Sequence, residues 1–140
     1  MGKPLQVRVY SPSDENAVVG LWEHTFPNEP PWNESRALIA QKLTTQPDLF
    51  FVCLLDTEIV GTVIAGYDGV RGWVHKLAAH PDYQGQGIGR LLMSHAEAAL
   101  KSLGCVKLNL QVRSQNDPAA HFYKSVGYEL EERISMSKHL

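Results

Sequence analysis

Cysteine is scarce in this chain: Cys53 and Cys105 are the only two among 140 residues, too few for a disulfide framework. Both fall in or beside apolar strand-like runs and read as small core residues. Histidine occurs six times but never in a paired spacing such as HExxH, so no metal site is expected. Neither charge sign is in excess: the net charge of -2 leaves no basic footprint for DNA or RNA phosphates, and a nucleic-acid partner is not expected. Long apolar runs are missing as well. None approaches the ~20 residues of a membrane-spanning helix, and the first residues show neither a hydrophobic signal core nor a basic presequence. A cytoplasmic protein without membrane attachment is the expectation. At this length a single domain over residues 1–140 can bury its own core without staples.

What is present is one continuous α/β pattern without linker or repeat. Leu5 to Tyr10 alternates as a first strand. Ser11-Pro12-Ser13-Asp14 then offers a turn and cap to a helix carrying Ala17, Val18, Leu21 and Trp22. Pro27, Pro30 and Pro31 break it, Asn33 is the expected cap of a second helix, and Pro47 ends that one. Leu49 to Leu55 and Ile59 to Tyr67 read as a hairpin about Asp56-Thr57-Glu58. Trp73 to Ala79 is the fourth strand, followed by a long helix from Ile88 that stops at Gly104. A fifth strand is expected where Val106, Leu108, Leu110 and Val112 alternate with polar residues. A short helix near Pro118 to Val126 and a last strand near Tyr128 to Met136 complete the order. Such an order favours a mixed sheet with helices on its faces, the fourth and fifth strands being parallel neighbours across a helical crossover.

The most informative segment is Gln84-Gly85-Gln86-Gly87-Ile88-Gly89-Arg90. It joins a strand to a helix through glycines, so main-chain N–H groups and the positive end of the helix dipole converge where no side chain blocks a diphosphate. An ordinary strand-to-helix loop would read the same way on spacing alone. A P-loop is excluded, because Arg90 and Leu91 follow Gly89 in place of lysine and a hydroxyl residue. A dinucleotide fold is disfavoured by the mid-chain position and by a next strand that runs into Gln111, Val112 and Arg113 without an acid.

Gln84, Gly87 and Gly89 fill the pattern [QR]xxGx[GA], and Asn116-Asp117-Pro118-Ala119-Ala120-His121-Phe122-Tyr123-Lys124-Ser125-Val126-Gly127-Tyr128 is similar to NxxAxxxYxxxGF. In their order and separation these segments resemble the GNAT (Gcn5-related) N-acetyltransferases, from about Val7 to Ile134. Within that family Pro31-Trp32-Asn33, Gly61-Thr62-Val63, Gly66-Tyr67-Asp68-Gly69 and Arg71-Gly72 look like the small bacterial YpeA group. The resemblance implies a mostly antiparallel mixed sheet whose central parallel strands splay apart to admit the pantetheine arm of acetyl-CoA. It also implies a homodimer as one form of the protein, dimers being frequent in the family.

Site roles follow from that likeness. The backbone amides of Gly85, Gln86, Gly87, Ile88, Gly89 and Arg90, with Gln84, hold the pyrophosphate, and the Arg90 side chain can add a cation. Leu77, Ala78 and Ala79 bind pantetheine through their main chain, and an N–H at or near Leu77 serves the acyl oxygen. Tyr123 is the expected general acid for the departing sulfur, and Asn116 bonds the coenzyme or caps the local helix. Many relatives carry a glutamate where Gln111 stands, and a carboxamide cannot be a base. His75 is the substitute candidate, with Asp68 and Glu23 behind it. Trp22, Phe26, Trp32 and the Gly66 to Gly69 loop are expected walls for the acceptor. The expected activity is acetyl transfer from acetyl-CoA to a primary amine, on a small molecule or on a peptide N-terminus or lysine, by direct attack through a tetrahedral intermediate. A non-catalytic acyl-CoA-binding module and a nucleotide-phosphate binder are the alternatives.

Overall fold

The first strand pairs with residues forty to fifty positions further on, and that pairing starts the sheet. In the computed structural model, which describes residues 4–140, β1 (Leu5–Val9), β2 (Phe50–Leu55), β3 (Glu58–Tyr67), β4 (Gly72–Ala79) and β5 (Leu108–Asn109) lie side by side in that order. The first four are antiparallel and β4 pairs with β5 in parallel, giving the mixed sheet that the sequence pattern predicts. Helices α1 (Glu15–Thr25) and α2 (Ser35–Lys42) cover one face and α3 (Ile88–Ser102) the other. The alternation of β3 shows the two faces: buried Thr62 meets Trp22 of α1, while Gly61 abuts Ile88 and Leu92 of α3. On the α1 side Tyr10 stacks on Phe50, with Val18, Trp22, Ile39 and Ile64 around them. On the other side Ile88, Leu92, Ala96 and Leu100, each four residues apart, form the buried stripe of α3. None of the described helices is long and apolar enough to cross a membrane.

The chain divides into two compact units, Met1–Leu110 and Gln111–Leu140. The second holds α4 (Asp117–Ser125), close to the expected span. Three expectations are corrected. The fifth strand is confined to Leu108 and Asn109, which pair with Gly72 and Trp73, and Val106 is exposed. No regular strand forms between Tyr128 and Met136: Leu130, Ile134 and Met136 stay exposed, and apolar alternation makes a strand only where a ladder partner receives it. The cap of α2 is Glu34, whose carboxylate accepts the N–H groups of Arg36 and Ala37, while Asn33 closes a preceding turn and donates to Glu29.

Candidate active site

The glycine segment begins where β4 ends. His80 caps a single turn over Pro81–Tyr83 by accepting the Asp82 N–H, and the chain then opens into Gln84 to Gly87. Gly85 and Gly87 lie in the left-handed region at φ 83° and 84°, and a Cβ on either would meet nothing within 4 Å. The glycines are therefore there for conformation and for open space on the outer side. Gly87 is the N-cap of α3 and supplies no side-chain acceptor, so among the described residues the N–H groups from Gly85 to Arg90 have no protein partner. Gln84, Gln86 and Arg90 are exposed beside them, whereas Ile88 turns inward at 2% exposure. A dianionic pyrophosphate fits this cradle: unpaired donors, a helix dipole and no side chain in the way. Gly61 lets α3 sit this low on the sheet, because a Cβ there would lie 2.5 Å from Ile88 Cγ2 and 2.9 Å from the Ala78 carbonyl.

β4 carries a bulge. Its register passes from Thr62 opposite Ala78 to Ile64 opposite His75, so Val63 faces both Lys76 and Leu77. Lys76 takes up a left-handed φ of 53°, and its carbonyl accepts a hydrogen bond from the Thr62 hydroxyl at 2.9 Å. In a planar trans peptide the C=O of one residue and the N–H of the next point in opposite directions. With the Lys76 carbonyl tied back to β3, the Leu77 N–H points away from β3, toward the outer edge of β4. β5 pairs only with Gly72 and Trp73 at the start of the strand, so no strand of the sheet ladders onto that edge beyond Trp73. Leu77 and Ala79 are half-buried and Ala78 is buried, so what this edge offers is main chain.

The bulge also puts His75 and Lys76 on the same face. His75 is opposite Ile64, a member of the α1-side core, and Lys76 reaches under α1. Protein packed around the His75 ring withholds hydration from the imidazolium, and the Lys42 and Lys76 ammoniums oppose its charge, so its pKa lies below the ordinary value although much of the residue is exposed. Its surroundings thus favour the neutral imidazole, the form with a free acceptor nitrogen. The Lys76 side chain is only 8% exposed, with its ammonium 3.4 Å from Glu29 and 4.4 Å from the Phe26 ring centroid. An open cleft of about 430 Å³ begins here, lined by Trp22, Phe26, Glu23, Glu29, Glu34 and Lys76 among others. Of the residues named above as acceptor walls, Trp22 and Phe26 line this cleft, and Trp32 and the Gly66 to Gly69 loop do not. Asp68 is no base candidate, since its carboxylate accepts the Val70 and Arg71 N–H groups, which hold its pKa low.

The second unit holds the other expected residues. Asn116 caps α4 by accepting the Ala119 N–H, and Tyr123 lies two turns further along that helix. The Tyr123 ring meets Phe122 and Tyr128 edge-on, and burial pushes its phenol up to about 12. Gln111 donates to the Ser135 hydroxyl. Sequence reasoning missed Thr62, Lys76 and Glu29; Lys76 and Leu77 follow one another like any strand residues, and only the register discloses the bulge.

The sequence matches the acetyltransferase (GNAT) family over residues 16–128, a span that runs through both units. An acetyltransferase of Yersinia enterocolitica is 40% identical over 136 residues, covering 97% of this chain and 96% of the relative. The chain belongs to the GNAT acetyltransferases. This GNAT enzyme superposes on Ard1 from Thermoplasma volcanium with a TM-score of 0.81 at 24% identity, over 91% of this chain and 84% of that one. It matches the aminoglycoside N-acetyltransferase AAC(6')-Iy, solved in complex with CoA, with a TM-score of 0.82 at 17% identity, over 99% and 97% of the two chains. At these identities the likeness to the GNAT structures is one of fold.

Proposed function

We propose that this acetyltransferase uses acetyl-CoA as its donor and transfers the acetyl group directly to a primary amine, on a small molecule or on a peptide N-terminus or lysine. The observation that carries the proposal is the orientation of the peptide between Lys76 and Leu77, which turns an N–H away from β3 where no strand of the sheet pairs with β4. The glycine cradle would hold the pyrophosphate through the amides of Gly85 to Arg90, and the main chain of Leu77 to Ala79 would pair with the amides of the pantetheine arm. The reactive carbonyl is supplied by the thioester. As the amine adds, the acyl oxygen gains charge, and the Leu77 N–H stabilises it.

The acceptor enters by the cleft that ends at Lys76, and the carboxylates of Glu23, Glu29 and Glu34 around it favour a cationic amine over an acid. His75, kept neutral, takes the ammonium proton, directly or through water. Tyr123 is assigned to the departing sulfur by its motif and its chemistry. A phenol at about 12 is protonated throughout the neutral range. Complete transfer to a thiolate of pKa ~8.5 would be uphill, so Tyr123 acts by donating a hydrogen bond as charge develops on sulfur. Residues 1–140 then work as one acetyltransferase domain, in keeping with the family match through both units.

Thermal-shift titration followed by a free-thiol assay against amines, amino acids and peptides tests this reading. Stabilisation by CoA but not by ADP, with thiol release that depends on an amine, is the expected result. Tyr123→Phe should lower turnover about tenfold or more while CoA affinity stays the same. CoA binding without turnover on any amine would leave an acyl-CoA-binding module instead.

A further inference from the structure

We infer that Thr62 is a positioning residue for acyl transfer: its hydroxyl fixes the peptide between Lys76 and Leu77 and thereby aims the Leu77 N–H at the acyl oxygen. The inference rests on the assignment of Leu77 above and adds the device that holds it.

Thr62 is 0% exposed in the middle of β3, between Gly61 and the buried Val63 and Ile64. Valine has the same shape and would leave no hydroxyl to satisfy, so a threonine here needs a reason. Its oxygen accepts the Trp22 indole N–H at 2.8 Å and its proton goes to the Lys76 carbonyl at 2.9 Å. The direction of this relay is fixed, because an indole nitrogen only donates and a carbonyl only accepts. Trp22 is itself buried, at 1% exposure. The relay thus runs from α1 through β3 to the one peptide of β4 that the bulge takes out of register.

Two further features show that this peptide is held. Lys76 is left-handed, a conformation that a residue with a side chain occupies only when its surroundings impose it. Its side chain is anchored at the far end by Glu29 and Phe26. The lysine ammonium fixes one end of the residue and the threonine hydroxyl the other. If the hydroxyl is removed, the Lys76 carbonyl must turn to find another donor, and the Leu77 N–H turns with it, since the peptide is planar. The binding cradle at Gly85 to Arg90 takes no part in this movement.

Three variants test the relay. Thr62→Val keeps the shape and removes the hydroxyl, Thr62→Ser keeps the hydroxyl, and Trp22→Phe removes the indole donor together with some of the buried ring volume. For each, kcat and KM for acetyl-CoA are measured at saturating amine well below the melting temperature, beside the equilibrium affinity for CoA, which has no acyl oxygen. Thr62→Val is expected to lose about tenfold to a hundredfold in kcat, as misaiming an oxyanion donor does, with CoA affinity changed less than about twofold. Thr62→Ser should recover most of the rate, and Trp22→Phe should lose less than Thr62→Val. In the parent protein, the Leu77 amide proton should resonate further downfield with acetyl-CoA than with CoA; this NMR comparison stands even if Thr62→Val does not fold. Parental kcat in Thr62→Val, a serine variant as slow as the valine one, CoA affinity falling in step with kcat, or a Leu77 resonance indifferent to the acetyl group would each overturn the inference. A parent protein that binds no CoA would instead overturn the function beneath it, and the relay with it.

Discussion

Among the places in the first unit where the backbone enters the left-handed region, the loop before α3 and the bulge of β4 get there by opposite means. In the loop before α3 the residues are Gly85 and Gly87, a Cβ would meet nothing within 4 Å, and the conformation costs little. In the bulge of β4 the residue is Lys76, the same region costs about 1–2 kcal/mol, and Thr62, Glu29 and Phe26 hold it there. On the proposed function the difference follows from what each place would recognise. A pyrophosphate is a large, charged group that needs several donors and room, which missing side chains provide. A single acyl oxygen needs one donor in one direction, which packed neighbours provide.

The largest way to break this comparison is at the loop. Gly87→Glu puts a side chain on a left-handed residue and a negative charge beside the phosphates, and should weaken CoA binding by roughly a hundredfold or more in calorimetric titration. An affinity within a few fold of the parent would mean that the phosphates lie elsewhere. Gly61→Ala strikes the joint between the two places, since its methyl would press on both Ile88 and the Ala78 carbonyl. It should cost about 1–3 kcal/mol of stability, read as a lower melting temperature, and weaken CoA binding by lifting the start of α3. At the bulge, the pH profile of kcat/KM should show an acid limb as His75 gains its proton below the ordinary imidazole value, with activity rising as pH increases through it. His75→Ala should lower the rate about tenfold to a hundredfold and abolish that limb, while the limb belonging to the amine acceptor stays. The smallest effect makes the bulge resemble the loop. Lys76→Gly and Lys76→Ala both lose the ion pair, but glycine accepts a φ of 53° and alanine does not, so the glycine variant should be the more stable by about 1 kcal/mol in denaturant unfolding. Equal stability would mean that the left-handed residue is not under strain.

The same contrast explains what was legible in the sequence. The loop announces itself because residue type alone carries its function: glycines, a preceding β-run and a helical stripe from Ile88 suffice to place the cradle, and the two spaced motifs named the family. In the segment His75 to Ala79 the family likeness supplied roles but the residues read as a plain strand, because the bulge arises from register against β3, and register is set by partners far along the chain. The cleft was hidden for a similar reason. Glu23, Glu29 and Glu34 are scattered acids until α1 and the turns after it bring them around Lys76. The expected last strand shows the opposite error, apolar alternation from Tyr128 to Met136 that finds no ladder. Glu34 rather than Asn33 caps α2 because its longer side chain reaches two successive N–H groups, which preference tables for caps do not anticipate.

The short pairing of β5 has one more consequence. Beyond Trp73 no strand of the sheet ladders onto the outer rim of β4, and unpaired rims are where folded proteins begin to clump. On the proposed function the thioester carrier docks at this same rim, which would tie occupancy and colloidal behaviour together. A purification buffer that contains CoA would then protect the preparation from aggregation as well as the activity, an outcome that light scattering checks.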